Sequence, residues 1–90
     1  MLYEWHEAKN QQNIRKHGVS FEDATTVFEM PTLTYYDPHS VLGEDRHIAI
    51  GFGAKCLLAV VFTDRGGEVV RIISARKASK SEEKRYERGY

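Results

Sequence analysis

Two apolar, β-branched runs separated by four turn residues constrain this chain more than any other feature. Cys56 to Thr63 is nearly continuous in Leu, Ala, Val and Phe, and Glu68 to Ala75 carries Val69, Val70, Ile72 and Ile73. Asp64-Arg65-Gly66-Gly67 between them reads as a hairpin turn. The spacing predicts two neighbouring antiparallel strands, the first central and buried. The second runs on into Arg76-Lys77. Ser79-x-x-Glu82 then has the form of a capping box, which predicts a helix from Lys80 to about Arg88. A buried strand thus delivers two cations to a rigid corner. Arg offers a planar fork of donors and stays charged, so such a corner suits a phosphate.

The remaining chain supplies a scaffold. Leu2-Tyr3-Glu4-Trp5 is short and aromatic, compatible with an edge strand. Glu7 to His17 holds good helix formers, a thin apolar stripe (Trp5, Ala8, Ile14) and a basic last turn before Gly18. Ser20 is placed to cap a second helix carrying Phe21, Ala24, Val27 and Phe28 at helical spacing, stopped by Pro31. Thr32 to Asp37 reads as a strand and Pro38 to Glu44 as a loop. Arg46 to Phe52 alternates, with Arg46, Ile48, Ile50 and Phe52 on one face. Gly53-Ala54-Lys55 is a short hairpin connection. The expected fold is α+β: an antiparallel sheet of about four strands, two N-terminal helices and one C-terminal helix.

Ninety residues suit a single domain spanning 1–90. No apolar run approaches the length of a membrane helix. Met1 to Glu7 has neither the basic nor the apolar region of a signal peptide, so a cytoplasmic location is expected. Cys56 is the only cysteine and precedes an apolar run, which predicts a buried, inert thiol. The net charge of zero hides an asymmetry. Phe21 to Asp45 contains six acidic residues and no Lys or Arg, whereas Arg65 to Tyr90 contains eight Lys or Arg against four Glu. The basic end could meet a polyanion or an acidic protein.

The four His are scattered without metal-ligand spacing, and no Gly-rich phosphate loop or nucleophile elbow is present. No cofactor is expected. What remains is a set of Arg, Lys, His and Tyr residues sufficient for metal-independent RNA cleavage. A 2′-hydroxyl loses its proton to a base and attacks the adjacent phosphate. A cation stabilises the added charge, and an acid protonates the leaving 5′ oxygen. His17, Arg46, Arg76 and Tyr86 are the candidates for these roles; Lys16, Lys77 and Lys80 are candidates for holding RNA phosphates. Each also has an ordinary role. His17 could cap helix carbonyls, Arg46 could pair with Glu44 or Asp45, and Tyr86 could pack its ring on the sheet.

The order of motifs resembles the BrnT-type toxins of bacterial type II toxin–antitoxin systems. The resemblance is carried by Tyr3-Glu4-Trp5, by Asn13-Ile14-Arg15-Lys16-His17-Gly18-Val19-Ser20-Phe21-Glu22-Asp23-Ala24, by Glu44 to Gly51, by Leu58 to Thr63, and by Arg71-Ile72-Ile73-Ser74-Ala75-Arg76-Lys77-Ala78. It implies a RelE-like ribonuclease fold, RNA cleavage that arrests translation and growth, and a cognate antitoxin with a ribbon-helix-helix DNA-binding domain. Operator DNA would be met only through that antitoxin. His47 departs from the pattern at a position commonly aromatic, either as a substitute ring or as an extra titrating group. Two other readings compete: a non-catalytic RNA- or partner-binding module, and a protein that acts by pairing an exposed sheet edge.

Overall fold

The computed structural model describes residues 1–40 and 43–89, so Val41 and Leu42 of the expected loop lie outside the described residues. The predicted hairpin forms from strands β4 (Leu57–Arg65) and β5 (Val69–Lys77). Antiparallel β3 (His47–Phe52) and then β2 (Leu33–Tyr36) add to the other side of β4. The sheet nevertheless has five strands and is mixed, not four and antiparallel. Leu2–Glu4, here β1, pairs in parallel with Val69–Arg71 on the outer side of β5, giving the order β1-β5-β4-β3-β2. A three-residue strand whose partner lies at the far end of the chain leaves no local signal of its direction.

The alternation of side chains along β4 separates two layers. Leu58, Val60 and Phe62 face a core made with Val19, Phe21, Ala24 and Val27 from the N-terminal helices. Ala59 and Val61 face the opposite layer, with Ile48, Ile50, Leu33, Tyr35 and Tyr86. Tyr86 belongs to the C-terminal helix α3 (Lys80–Arg88), which covers part of that second face. Cys56 is half-buried against the first core, and not fully buried as expected.

The helices differ in detail from expectation. Helix α1 (Glu7–His17) ends at Gly18, whose φ of 72° is the left-handed conformation that glycine adopts without strain. Its buried residues are Asn10 and Asn13, not an apolar stripe. Helix α2 spans only Phe21–Thr25 and tightens into a 3₁₀ turn over Thr26–Glu29. The Thr25 and Thr26 hydroxyls donate back to the Glu22 and Asp23 carbonyls at 2.7 and 2.6 Å. Such side-chain bonds compete with the regular helical ladder.

Candidate functional site

The strand register builds the second sheet face in rows. Leu33, Ile50, Ala59 and Arg76 align across four strands, and Tyr35, Ile48, Val61 and Ser74 form the next row. One row further, the Asp37 amide donates to the Arg46 carbonyl at 2.8 Å. Beyond the bulge on the same face, Thr63 opposes Arg71, and Arg71 opposes Glu4. Two rows are therefore largely apolar, and the third is polar.

A β-bulge makes this face. Val61 pairs with Ser74 but Phe62 pairs with Ile72, so Ile73 is an extra residue on β5. Arg71 and Arg76 are five residues apart, an interval that would place them on opposite faces of a regular strand. The extra residue returns both to the face that α3 covers in part. Ile72 and Ala75, three apart, are correspondingly both buried in the other core.

Helix α3 is fixed onto this face by its first turn. The Ser79 hydroxyl accepts from the Glu82 amide, and Glu82 Oε1 accepts from the Ser79 amide at 2.7 Å, completing the capping box. The same carboxylate accepts from Arg76 Nη1 at 2.7 Å and Nη2 at 2.9 Å, and from the Tyr35 hydroxyl at 3.4 Å. Glu82 is buried, and the Arg76 hydrogen bonds pull its carboxyl down to about 2. The same bonds raise Arg76 above its ordinary value. Burial, then the Glu82 charge, raises Tyr35. One turn on, the Arg85 guanidinium lies 4.2 Å from the centre of the Tyr35 ring.

Carboxylates also orient the other arginines of the face. Arg46 Nε donates to Glu44 at 2.9 Å, the pairing anticipated as its ordinary role. Glu4 sits 3.6 Å from Arg71 and 3.5 Å from Arg65. Arg46, Arg71 and Arg76 all keep part of their side chains in solvent, at 30, 28 and 41%.

Six of the seven expected site residues divide among three places, and Arg46 stands apart from them beside Glu44. Arg76, Lys77 and Lys80 share the corner between β5 and α3, with both lysines exposed. Lys16 and His17 line a separate groove of about 240 Å³ with Lys9, Gln12, Asn13, Ile73 and Ser74. Ser74 belongs both to this groove and to the second row of the arginine-bearing face, so the two adjoin across β5. Tyr86 is turned towards the far end of the face. Its hydroxyl donates to the Pro31 carbonyl at 2.8 Å, and its ring meets Phe52 edge-on. Arg71, Arg85 and Ser74 were not anticipated. The bulge hid the face of Arg71, and only the docking of α3 places Arg85 over Tyr35. His47 serves as a ring, packed between Tyr36 and Phe62 on the first face. Among the described residues, no three His, Cys, Asp or Glu are grouped to hold a metal ion.

Comparison with protein families gives a match over residues 5–82 to the ribonuclease toxin BrnT of type II toxin–antitoxin systems. Among solved structures, the 1.1 Å crystal structure of the Brucella abortus ribonuclease toxin BrnT is similar at 34% identity, with a TM-score of 0.66. The similarity covers 89% of this chain and 100% of that one. Comparison with curated proteins gives no match.

Proposed function

The chain belongs to the BrnT toxin family of type II toxin–antitoxin systems, and on that premise we propose that it cleaves RNA on the arginine-bearing face of its sheet. The observation that carries this reading is that one face bears Arg46, Arg71 and Arg76, each paired with a carboxylate. Guanidinium groups held in place and still part-exposed are suited to phosphate oxygens and to the extra charge of a phosphorane-like transition state.

In this proposal Arg76 stabilises that charge. Arg46 and Arg71 hold neighbouring phosphates, and Lys16, Lys77 and Lys80 extend the positive path around the β5 edge. His17, across that edge, takes the 2′-hydroxyl proton. The 2′ oxygen then bonds to phosphorus as the bond to the 5′ oxygen breaks, and the departing 5′ oxygen takes a proton from solvent water, leaving a 2′,3′-cyclic phosphate and a 5′-hydroxyl. Tyr86, among the expected candidates for the acid, is assigned instead to anchoring α3 through Pro31. The chemistry needs no metal, and the fold falls with the RelE-like ribonucleases. A cognate antitoxin with a ribbon-helix-helix domain would neutralise the toxin and carry it to operator DNA.

Induced expression with and without the neighbouring gene product, scored for growth and RNA integrity, tests the reading. Growth arrest with fragmented RNA, relieved by co-expression and absent for Arg76→Ala, is expected. RNA that is bound yet left intact by the purified protein would favour the non-catalytic binding module instead.

A further inference from the structure

Arg76 has five N–H donors, and its hydrogen bonds are unevenly distributed around the guanidinium plane. Nη1 donates to Glu82 Oε1 at 2.7 Å and to the Lys77 carbonyl at 3.2 Å, and Nη2 donates to Glu82 Oε2 at 2.9 Å. The carboxylate therefore takes the end-on pair of donors. The side edge of the group, formed by Nε–H and the outer hydrogen of Nη2, has no protein partner among the described residues. That edge is a second fork of the same width, with the spacing of two phosphate oxygens. The Arg76 side chain as a whole is 41% exposed.

Glu82 is itself held from several sides. Its backbone amide and carboxylate are locked in the capping box with Ser79, and Tyr35 donates to Oε2 from β2. A flexible guanidinium thus abuts a carboxylate whose position is set by the first turn of a helix and by a strand two places beyond β4. Resting on the ribonuclease reading above, we propose that Glu82 is the positioning residue of the site. It clamps one fork of Arg76 so that the other is aimed at the scissile phosphate before RNA arrives. The ion pair then contributes preorganisation, beyond tying a strand to a helix.

The pair could instead be purely structural, or a latch that withholds Arg76 from substrate; three variants separate these. Glu82→Gln keeps an acceptor for the Ser79 amide but loses the charge that grips both Nη groups. Its kcat for RNA cleavage is expected to fall about 10- to 100-fold with KM changed by less than about threefold, as for a misaimed group. Arg76→Lys keeps the charge but cannot fill two forks at once, so it should lose activity to at least the same degree. A Glu82→Gln protein that folds and keeps kcat within about twofold of the parent would show a structural pair, and one with raised kcat would show a latch. Either result overturns the proposal. Cleavage that survives Arg76→Ala overturns the ribonuclease reading of this site.

A readout without cleavage keeps the two failures apart. In ¹⁵N-labelled parent protein titrated with inorganic phosphate, the Arg76 Nε–H resonance is expected to shift, and in Glu82→Gln to shift much less. An Nε–H signal indifferent to phosphate in the parent would contradict the free fork even if RNA is cleaved.

Discussion

At Asn13 one amide side chain replaces the hydrogen bonding that β1, only three residues long, cannot give to the rest of β5. Its Nδ2 donates to the Ala75 carbonyl at 2.7 Å and to the Val19 carbonyl at 2.8 Å, and its Oδ1 accepts from the Ala75 amide at 3.3 Å. Asn13 is 7% exposed, so removing it strands buried backbone groups. Asn13→Ala is expected to cost about 2–4 kcal/mol in urea unfolding, because unsatisfied buried donors and acceptors carry their full desolvation cost. Glu82 makes a second prediction, through pH. Its folded carboxyl, at about 2, lies below its ordinary 4.5. A depressed carboxylate contributes stability that is fully present above the unfolded value and is lost as pH falls through the folded one. Thermal unfolding of the parent should therefore weaken between pH 4.5 and about 2. Glu82→Gln should lack that part of the decline.

At the scale of elements, the corner between β5 and α3 depends on a helix start. Ser79→Ala removes one half of the capping box and is expected to cost about 1 kcal/mol, read from the unfolding midpoint. Because Glu82 shares that box, cleavage should fall more than this loss of stability alone implies. This corner also shows what the sequence discloses. Ser79-x-x-Glu82, Ser20 before Phe21, and Gly18 after His17 act within four residues of each other, and all three formed as read. The hairpin from Cys56 to Ala75 was legible too, since its apolar runs are local, but its turn falls at Gly66 to Glu68 and not at Asp64 to Gly67: Asp64 and Arg65 pair with Val70 and Val69. Arg76 could be singled out because two cations end an apolar strand. Its bidentate grip on Glu82 could not, because the spacing explained that Glu as a cap and nothing more. Arg71 escaped for another reason: a single extra residue at Ile73 reverses the face on which an odd interval falls. Asn13 meets Ala75 across 62 residues of sequence, a distance at which periodicity is silent. The parallel β1–β5 pairing is hidden for the same reason.

For the molecule as a whole, the zero net charge and the arginine face are reconciled by pairing. Arg46, Arg71 and Arg76 are matched with Glu44, Glu4 and Glu82, so the positive charge of these three groups is oriented and partly balanced. Long-range attraction of RNA should accordingly be weak and local contacts decisive. Arg71→Ala should weaken binding to single-stranded RNA and flatten the dependence of log K on log salt by about 0.7, the share of one phosphate contact. No helix among the described residues is long and apolar enough to cross a membrane. The family membership and the arginine face meet in one claim, that Arg76 stabilises charge at a cleaved phosphate. The most direct measurement is the cleavage rate of a defined RNA by purified parent and Arg76→Ala proteins of matched fold. A loss of about 100-fold or more is predicted, as for removal of a donor to a developing oxyanion; a rate within about twofold of the parent would contradict it.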